Sequence, residues 1–247
     1  ARVTGKVKGN VTLRKEQYRV SENAEERLKL ARDFILGKVY NSRWILERAV
    51  RDYSLRLDAE NIKVKSEILY QSLKNIRTCE TSSRLLGLEG EAASVYFSVF
   101  DDLILQQKEE FYFHGRNKRP PLDPVNAMLS FSYSLLAGMC GAALEAVGLD
   151  AYVGFYHTDR PGRISLALDL MEELRGVMAD RFVLTLINKR IIKERNFIKK
   201  ESGAVILDDA GRKIFLKSWQ ERKQEVIRHP FLNEKIEWGM VPHVQAM

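Results

Sequence analysis

From Ser21 to about Lys200 the apolar residues recur three and four positions apart, the period of helices that each bury one face. Asn23 followed by Glu26 has capping-box form, and Leu28, Ala31, Phe34 and Ile35 carry an apolar face up to Gly37. The pattern predicts a second helix over 39–57, basic on its wet side, and a third over 62–76. Thr81-Ser82-Ser83 starts a short helix that Gly87 and Gly90 break or pack tightly, and a richly apolar helix follows over 92–104. Asp123-Pro124 is a cap followed by proline at the first helical position, so it opens the nearly all-apolar run 125–147. That run reads as a buried central helix. Ser165 caps a helix with Leu166, Leu168, Leu170, Met171 and Leu174 on its apolar side, and an apolar-patterned stretch over 177–190 is followed by a basic one over 191–200.

Strand text is confined to two places. Val3, Val7, Val11, Leu13, Tyr18 and Val20 are separated by Lys, Arg and Gly, and 204–216 reads as a hairpin. Residues 219–229 read as a final basic helix, and 230–247 show no sustained period. The expected architecture is mainly α: a strand remnant of an N-terminal β-domain in 1–20, a multi-helical domain over 21–229 and an irregular tail over 230–247. The chain starts on Ala1 with no initiator methionine, which points to sequence upstream.

An apolar content of 45% over 247 residues supports a real core and excludes wholesale disorder. The formal net charge of +7 and pI near 9.3 fit a surface that faces a polyanion, although ordinary soluble proteins share them. Only Cys79 and Cys140 are present, far apart in helical text, which argues against a disulfide framework or zinc knuckle and for an intracellular setting. No uninterrupted apolar run reaches membrane-spanning length, and no membrane partner is expected.

Candidate chemistry gathers in 148–175. His157 closes an aromatic approach (Tyr152, Phe155, Tyr156) and precedes the turn-forming run Thr158-Asp159-Arg160-Pro161-Gly162, so it sits where an element ends. Asp169 and Glu172 lie in the next helix, from which a carboxylate can point back toward the histidine loop. Glycines 87 and 90 leave Glu89 on a bare shoulder that admits a close neighbour. Each feature also has a plain structural reading, as a helix-dipole carboxylate or a hydrogen-bonded histidine. Asn126 and Tyr133 share one face of the central helix, either as satisfied core polar groups or as substrate-positioning residues. Positive charge is dense at Arg175, Arg181, Lys189, Arg190, Lys193 and Arg195, close behind the acidic helix.

Four ordered blocks carry a resemblance. Leu86-Gly87-Leu88-Glu89-Gly90-Glu91-Ala92-Ala93, with Tyr96-Phe97 behind it, resembles the first signature of the CRISPR-associated adaptation integrase family. Asp123-Pro124-Val125-Asn126-Ala127-Met128-Leu129-Ser130 resembles its central helix. Gly154-Phe155-Tyr156-His157 with Gly162-Arg163-Ile164-Ser165-Leu166-Ala167-Leu168-Asp169-Leu170-Met171-Glu172-Glu173 resembles its second signature, and Leu186-Ile187-Asn188-Lys189-Arg190 a further block. The resemblance implies a metal-dependent DNA integrase and endonuclease that inserts spacers by attack of DNA 3′-hydroxyls. It assigns Glu89, His157 and Asp169 to catalysis and to metal binding, with Glu172 as a further candidate ligand, and Mg²⁺ or Mn²⁺ as the metal. Arg84, Arg163, Arg181, Lys189, Arg190 and Lys193 become candidates for DNA contact. The implied partners are double-stranded DNA with 3′-hydroxyl ends, the CRISPR repeat, a smaller adaptation protein with a ferredoxin-like fold, and a second copy of the full-length chain, all in a prokaryotic cytoplasm. Two carboxylates and an imidazole suit a divalent ion with open water positions. Two rivals stay open: a general metal-dependent DNA nuclease, in which water replaces the 3′-hydroxyl, and a non-catalytic helical DNA-binding scaffold.

Overall fold

The computed structural model describes residues 11–229 and 232–247. Its helices are α1 (Val11–Glu22), α2 (Ala24–Tyr53), α3 (Ala59–Arg77), α4 (Ser82–Phe97), α5 (Pro124–Val147), α6 (Ser165–Leu174), α7 (Arg181–Asn188), α8 (Asp209–Gln224) and α9 (Val241–Ala246). The strands β1 (Phe197–Lys199) and β2 (Val205–Leu207) form one antiparallel pair, and β3 (Val226–Arg228) and β4 (Lys235–Glu237) another. The fold is mainly α, as the periodicity predicts.

The centre is α5. Asp123 caps it by accepting the Asn126 N–H at 2.7 Å, Pro124 occupies the first turn, and Gly148 ends it at φ 94°. Its length and composition would suffice to cross a bilayer, yet half of its most apolar window is buried inside the protein, against α6, α7, α9 and β2. Beside it, α2 runs past α3, α4 and α6, and so joins the layer that carries the first signature to the layer that carries the second.

Several local expectations are overturned. Residues 11–20 are helical; the earlier part of the strand reading lies outside the described residues. Gln17, in α1, is buried, and its amide donates to the carbonyls of Asp150 and Val153, ties a strand could not reach along one face. Gly37 does not end a helix, because α2 is continuous. A Cβ at Gly37 would lie 2.7 Å from Glu173 Cγ, so the glycine serves the close approach of α6. Gly87 and Gly90 likewise sit inside α4, where an added Cβ would meet nothing within 4 Å; they admit no close protein neighbour. The apolar helix expected over 92–104 is the end of α4 followed by a 3₁₀ turn, Asp101–Leu103.

The hairpin expected over 204–216 pairs β2 with the earlier β1 instead. Asp208 accepts the Gly211 N–H at 2.6 Å and caps α8, drawing Ile214, Phe215 and Leu216 into helix. The basic helix placed at 219–229 therefore ends at Gln224, and the chain turns into β3. The tail is not irregular, since it supplies β4 and α9. Ser165 is the first residue of α6 rather than its cap, and its hydroxyl donates to the Thr158 carbonyl at 3.3 Å. Between α6 and α7 the helix widens into a π turn over Arg175–Asp180, a distortion that recurs at functional sites.

Candidate functional site

The histidine loop is wrapped around one carboxylate. Asp169 is fully buried, and its Oδ2 accepts the N–H groups of Phe155 at 2.6 Å and Tyr156 at 2.9 Å. Its Oδ1 accepts the His157 N–H at 2.9 Å and lies 2.7 Å from His157 Nδ1. The wrap is possible because Gly154 has no side chain: a Cβ there would fall 2.7 Å from Ser165 Cβ and 2.9 Å from Asp169 Oδ2. With Nδ1 donating to Asp169, the tautomer is fixed and Nε2 carries the lone pair. That nitrogen faces outward, 4.0 Å from Glu172 Oε1.

One helical turn beyond Asp169, Glu172 faces a different kind of partner. Lys38 Nζ lies 2.6 Å from its Oε2 and also pairs with Glu89 Oε1, so a single ammonium bridges the two glutamates. Arg175 Nη2 approaches Glu172 Oε1 at 2.7 Å. Burial opposes charge on Glu172, but Arg175 and then Lys38 outweigh it and hold the carboxyl down to about 2. Oε2 is buried without a well-aligned hydrogen bond even so. Burial and the carboxylates of Glu89, Glu172 and Asp169 push the Tyr156 hydroxyl well above its usual range, which keeps it protonated beside them. Among the described residues no three His, Cys, Asp or Glu side chains already converge on one point, because Lys38 stands between the glutamates.

Of the residues singled out in the sequence, Glu89, His157 and Glu172 therefore share one locus. Asp169 stands behind the imidazole with both oxygens engaged, an orienting position rather than a place facing Glu89. A cavity of about 630 Å³ opens beside Glu89, lined among others by Lys38, Arg116, Lys118, Tyr133, Arg175 and Asp180. Asn126 does not reach it; fully buried, it accepts from the Asn117 N–H and Arg116 Nη1 and donates to Asp123 and the Gly115 carbonyl, so it pins the 115–117 loop. Tyr133 does line the cavity. Its hydroxyl donates to Asp180 Oδ1 at 2.6 Å, while Arg116 and Arg175 lie over its ring at 5.2 and 4.7 Å. Burial pushes the Asp180 carboxyl up to about 6, against the hydrogen bond from Tyr133 and the charge of Arg175.

The basic candidates are dispersed. Arg84 is exposed on the first turn of α4, and Arg163 sits in the turn after the histidine loop. Arg181 and Lys189 line a second cleft of about 320 Å³ with Arg48, Asp52 and Arg222, and Arg190 and Lys193 are exposed just past α7. Lys38, Arg116 and Lys118 were not singled out from the sequence. Only Lys38 left a signal there, a lone cation following a mid-helix glycine.

The family described as CRISPR associated protein Cas1 matches residues 1–221. A protein of Rhodospirillum rubrum named CRISPR-associated endonuclease Cas1 2 is 50% identical over 250 residues, spanning 100% of this chain and 72% of that protein. A solved casposase bound to its integration product superposes with a TM-score of 0.81 at 26% identity, covering 95% of this chain and 66% of that one. A chain in a solved Cas6-RT-Cas1–Cas2 complex has the same fold, with a TM-score of 0.80 at 24% identity over 96% of this chain and 25% of that one. The match over most of the chain and the 50% identity to a relative spanned over 72% of its length agree with the four motif blocks: the chain belongs to the Cas1 family.

Proposed function

We propose that this chain is the nuclease and strand-joining subunit of CRISPR adaptation, and that it works through a divalent metal held by Glu89, His157 Nε2 and Glu172. The observation that carries the reading is the bridging of Glu89 and Glu172 by one lysine ammonium, with an outward imidazole nitrogen beside them. Two carboxylates that share a cation, one with a buried oxygen lacking an aligned donor, are a donor set suited to a hard divalent ion. In this reading Mg²⁺ or Mn²⁺, when bound, polarises the scissile phosphate and lowers the cost of the attacking oxyanion.

The chain's own residues supply the rest. Asp169 holds the His157 tautomer and ring orientation through Nδ1, so Nε2 is presented as a ligand. Arg175 fixes Glu172 from one side, and Lys38 is free to leave the carboxylates for the adjoining cavity once a doubly charged ion takes its place. A DNA 3′-hydroxyl as nucleophile gives joining, whereas water gives cleavage, so integrase and nuclease differ only in what reaches the phosphate. The casposase neighbour, solved on an integration product, supports the joining branch. A Cas2-type partner belongs to the same proposal, in keeping with the fold shared with a chain of the Cas6-RT-Cas1–Cas2 complex, and so does pairing with a second copy, which rests on the family resemblance.

The test is strand joining and cleavage with DNA carrying free 3′-hydroxyls, titrated with Mn²⁺, alongside calorimetric Mn²⁺ binding. Glu89→Gln and Glu172→Gln should each lose more than ~100-fold in metal affinity and activity while DNA binding and folding persist. Metal-dependent joining that survives in Glu172→Gln would overturn this ligand set.

A further inference from the structure

Across the cavity from Glu89 stand cations with no carboxylate of their own. Lys38 and Arg175 are each committed to Glu89 or Glu172. Arg116 is not: its guanidinium reaches only neutral acceptors, the Asn126 side-chain oxygen at 2.6 Å, Ser130 Oγ at 3.0 Å and the Asn117 carbonyl. Lys118 makes no ion pair with any described residue, although it lines the same cavity. Burial, and then the charges of Arg175 and Arg116, push its ammonium below the usual lysine range, and burial does the same to Arg116.

Arg116 is half-buried and Lys118 beside it is exposed; a half-buried guanidinium without a carboxylate partner carries a desolvation cost that the fold has to meet. Here the retention is built. Asp123 fixes Asn126, Asn126 fixes the 115–117 backbone and Arg116, and Tyr133 supplies a ring face beneath the guanidinium. The planar fork is thereby fixed in the lining of the cavity that Glu89 also lines. The missing partner is an anion that enters with the substrate. A phosphodiester fits, since it offers two oxygens to a fork and a point charge to a lysine without requiring a second metal.

We infer that Arg116 and Lys118 form a subsite for the phosphodiester adjacent to the scissile one on the same DNA strand, holding the strand in line while Glu89, His157 and Glu172 engage the reacting phosphate. The inference rests on the metal-site reading above and adds positioning residues to it. It implies that the subsite works without metal, because the glutamates act on Lys118 only through their charge and neither Arg116 nor Lys118 forms an ion pair with them.

The test measures binding of a short DNA substrate in EDTA, with one linkage at a time around the scissile position replaced by a neutral methylphosphonate. For the parent protein, neutralising the adjacent linkage should weaken binding ~10-fold. Lys118→Gln should weaken binding of native DNA to a similar extent, and the neutral linkage should cost this variant little more, because the two changes remove one interaction. Arg116→Lys, which keeps the charge and loses the fork, should fall between. Lys118 makes no hydrogen bond with any described residue and is exposed, so its variant keeps its melting profile and the comparison stays clean even if Arg116 variants unfold. Strictly additive losses, or a linkage elsewhere on the DNA showing the coupling, would overturn the subsite. Coupling that persists while Glu172→Gln retains joining would leave the subsite standing and remove only the metal assignment.

Discussion

Asp169 and Glu172 are the same chemical group one turn apart on α6, and the protein treats them in opposite ways. Asp169 is surrounded by donors that cannot leave: three backbone N–H groups of one loop and the imidazole that follows it. Glu172 is paired instead with cations on long side chains, Lys38 and Arg175. Fixed dipoles make an anchor, whereas a flexible ammonium makes a contact that can be exchanged for another cation. The difference separates the residue that shapes the site from the residue that works in it.

The largest effect on that contrast should come from Asp169→Asn. The amide keeps the volume but turns an NH₂ toward backbone N–H groups that require an acceptor, so a loss of about 2–4 kcal/mol in urea unfolding is expected. Mn²⁺ affinity should fall by roughly 10–100-fold through a misoriented His157, even in the molecules that remain folded. Glu172→Gln should do the reverse, costing metal binding far more than stability. Similar stability losses in both variants would erase the distinction.

A second measurement uses pH. Burial raises the Asp180 carboxyl from 3.8 to about 6 in the folded protein, so the folded chain holds this proton where the unfolded chain has released it. The stability this contributes is complete below about pH 4 and declines as pH rises through 6, by about 3 kcal/mol in all. Glu172 runs the other way: lowered from 4.5 to about 2, it stabilises above pH 4.5 and its contribution is lost on acidification. Asp180→Asn should therefore flatten the decline between pH 4 and 6 and leave the acid limb in place. An unchanged slope in urea titrations across that window would show that Asp180 does not carry the proton.

The smallest of these effects tests the wrap itself. Gly154→Ala places a methyl against Ser165 and Asp169 Oδ2 and should cost about 1–3 kcal/mol, with thermal melting as the readout. Were Gly154→Ala neutral, the loop would be looser around Asp169 than its hydrogen bonds imply.

The helical plan was legible because its signals are local. Asp123-Pro124 at the start of α5 and Asn23 at the start of α2 act within a few residues, and both caps form. Gly37 misled because its reason lies in Glu173, far along the chain, and the strand text before Ser21 misled because the alternation of Leu13, Gln17 and Val20 with charges also suits a helix packed on one side. Spacing brought Asp169 and Glu172 onto one helix face but could not say which would meet backbone and which would meet lysine. Arg116 and Lys118 showed only as charges in an aromatic, basic, proline-ended connection over 111–121, since their meaning depends on a loop held by Asn126. The closeness of Glu89 to His157 was carried by resemblance alone, because it depends on α2 with its Lys38 and on Tyr156, all distant in sequence from Glu89.

The π turn at Arg175–Asp180 sets the phase between two cationic surfaces. Five residues along an ordinary α-helix, Arg175 and Asp180 would point about 140° apart; the wider turn lets both line the cavity under Tyr133. Everything downstream inherits that setting: α7 presents Phe182, Val183, Leu186 and Ile187 to the core and Arg181 and Lys189 to the second cleft. Excising one residue would close the turn to ordinary α geometry and leave α7 near its present phase relative to α6, whereas excising two would rotate α7 by about 100°, carrying its apolar stripe out of the core and its cations off the cleft together. The turn behaves as a gear tooth with one residue of slack, holding the cavity beside Glu89 and the cationic second cleft in step.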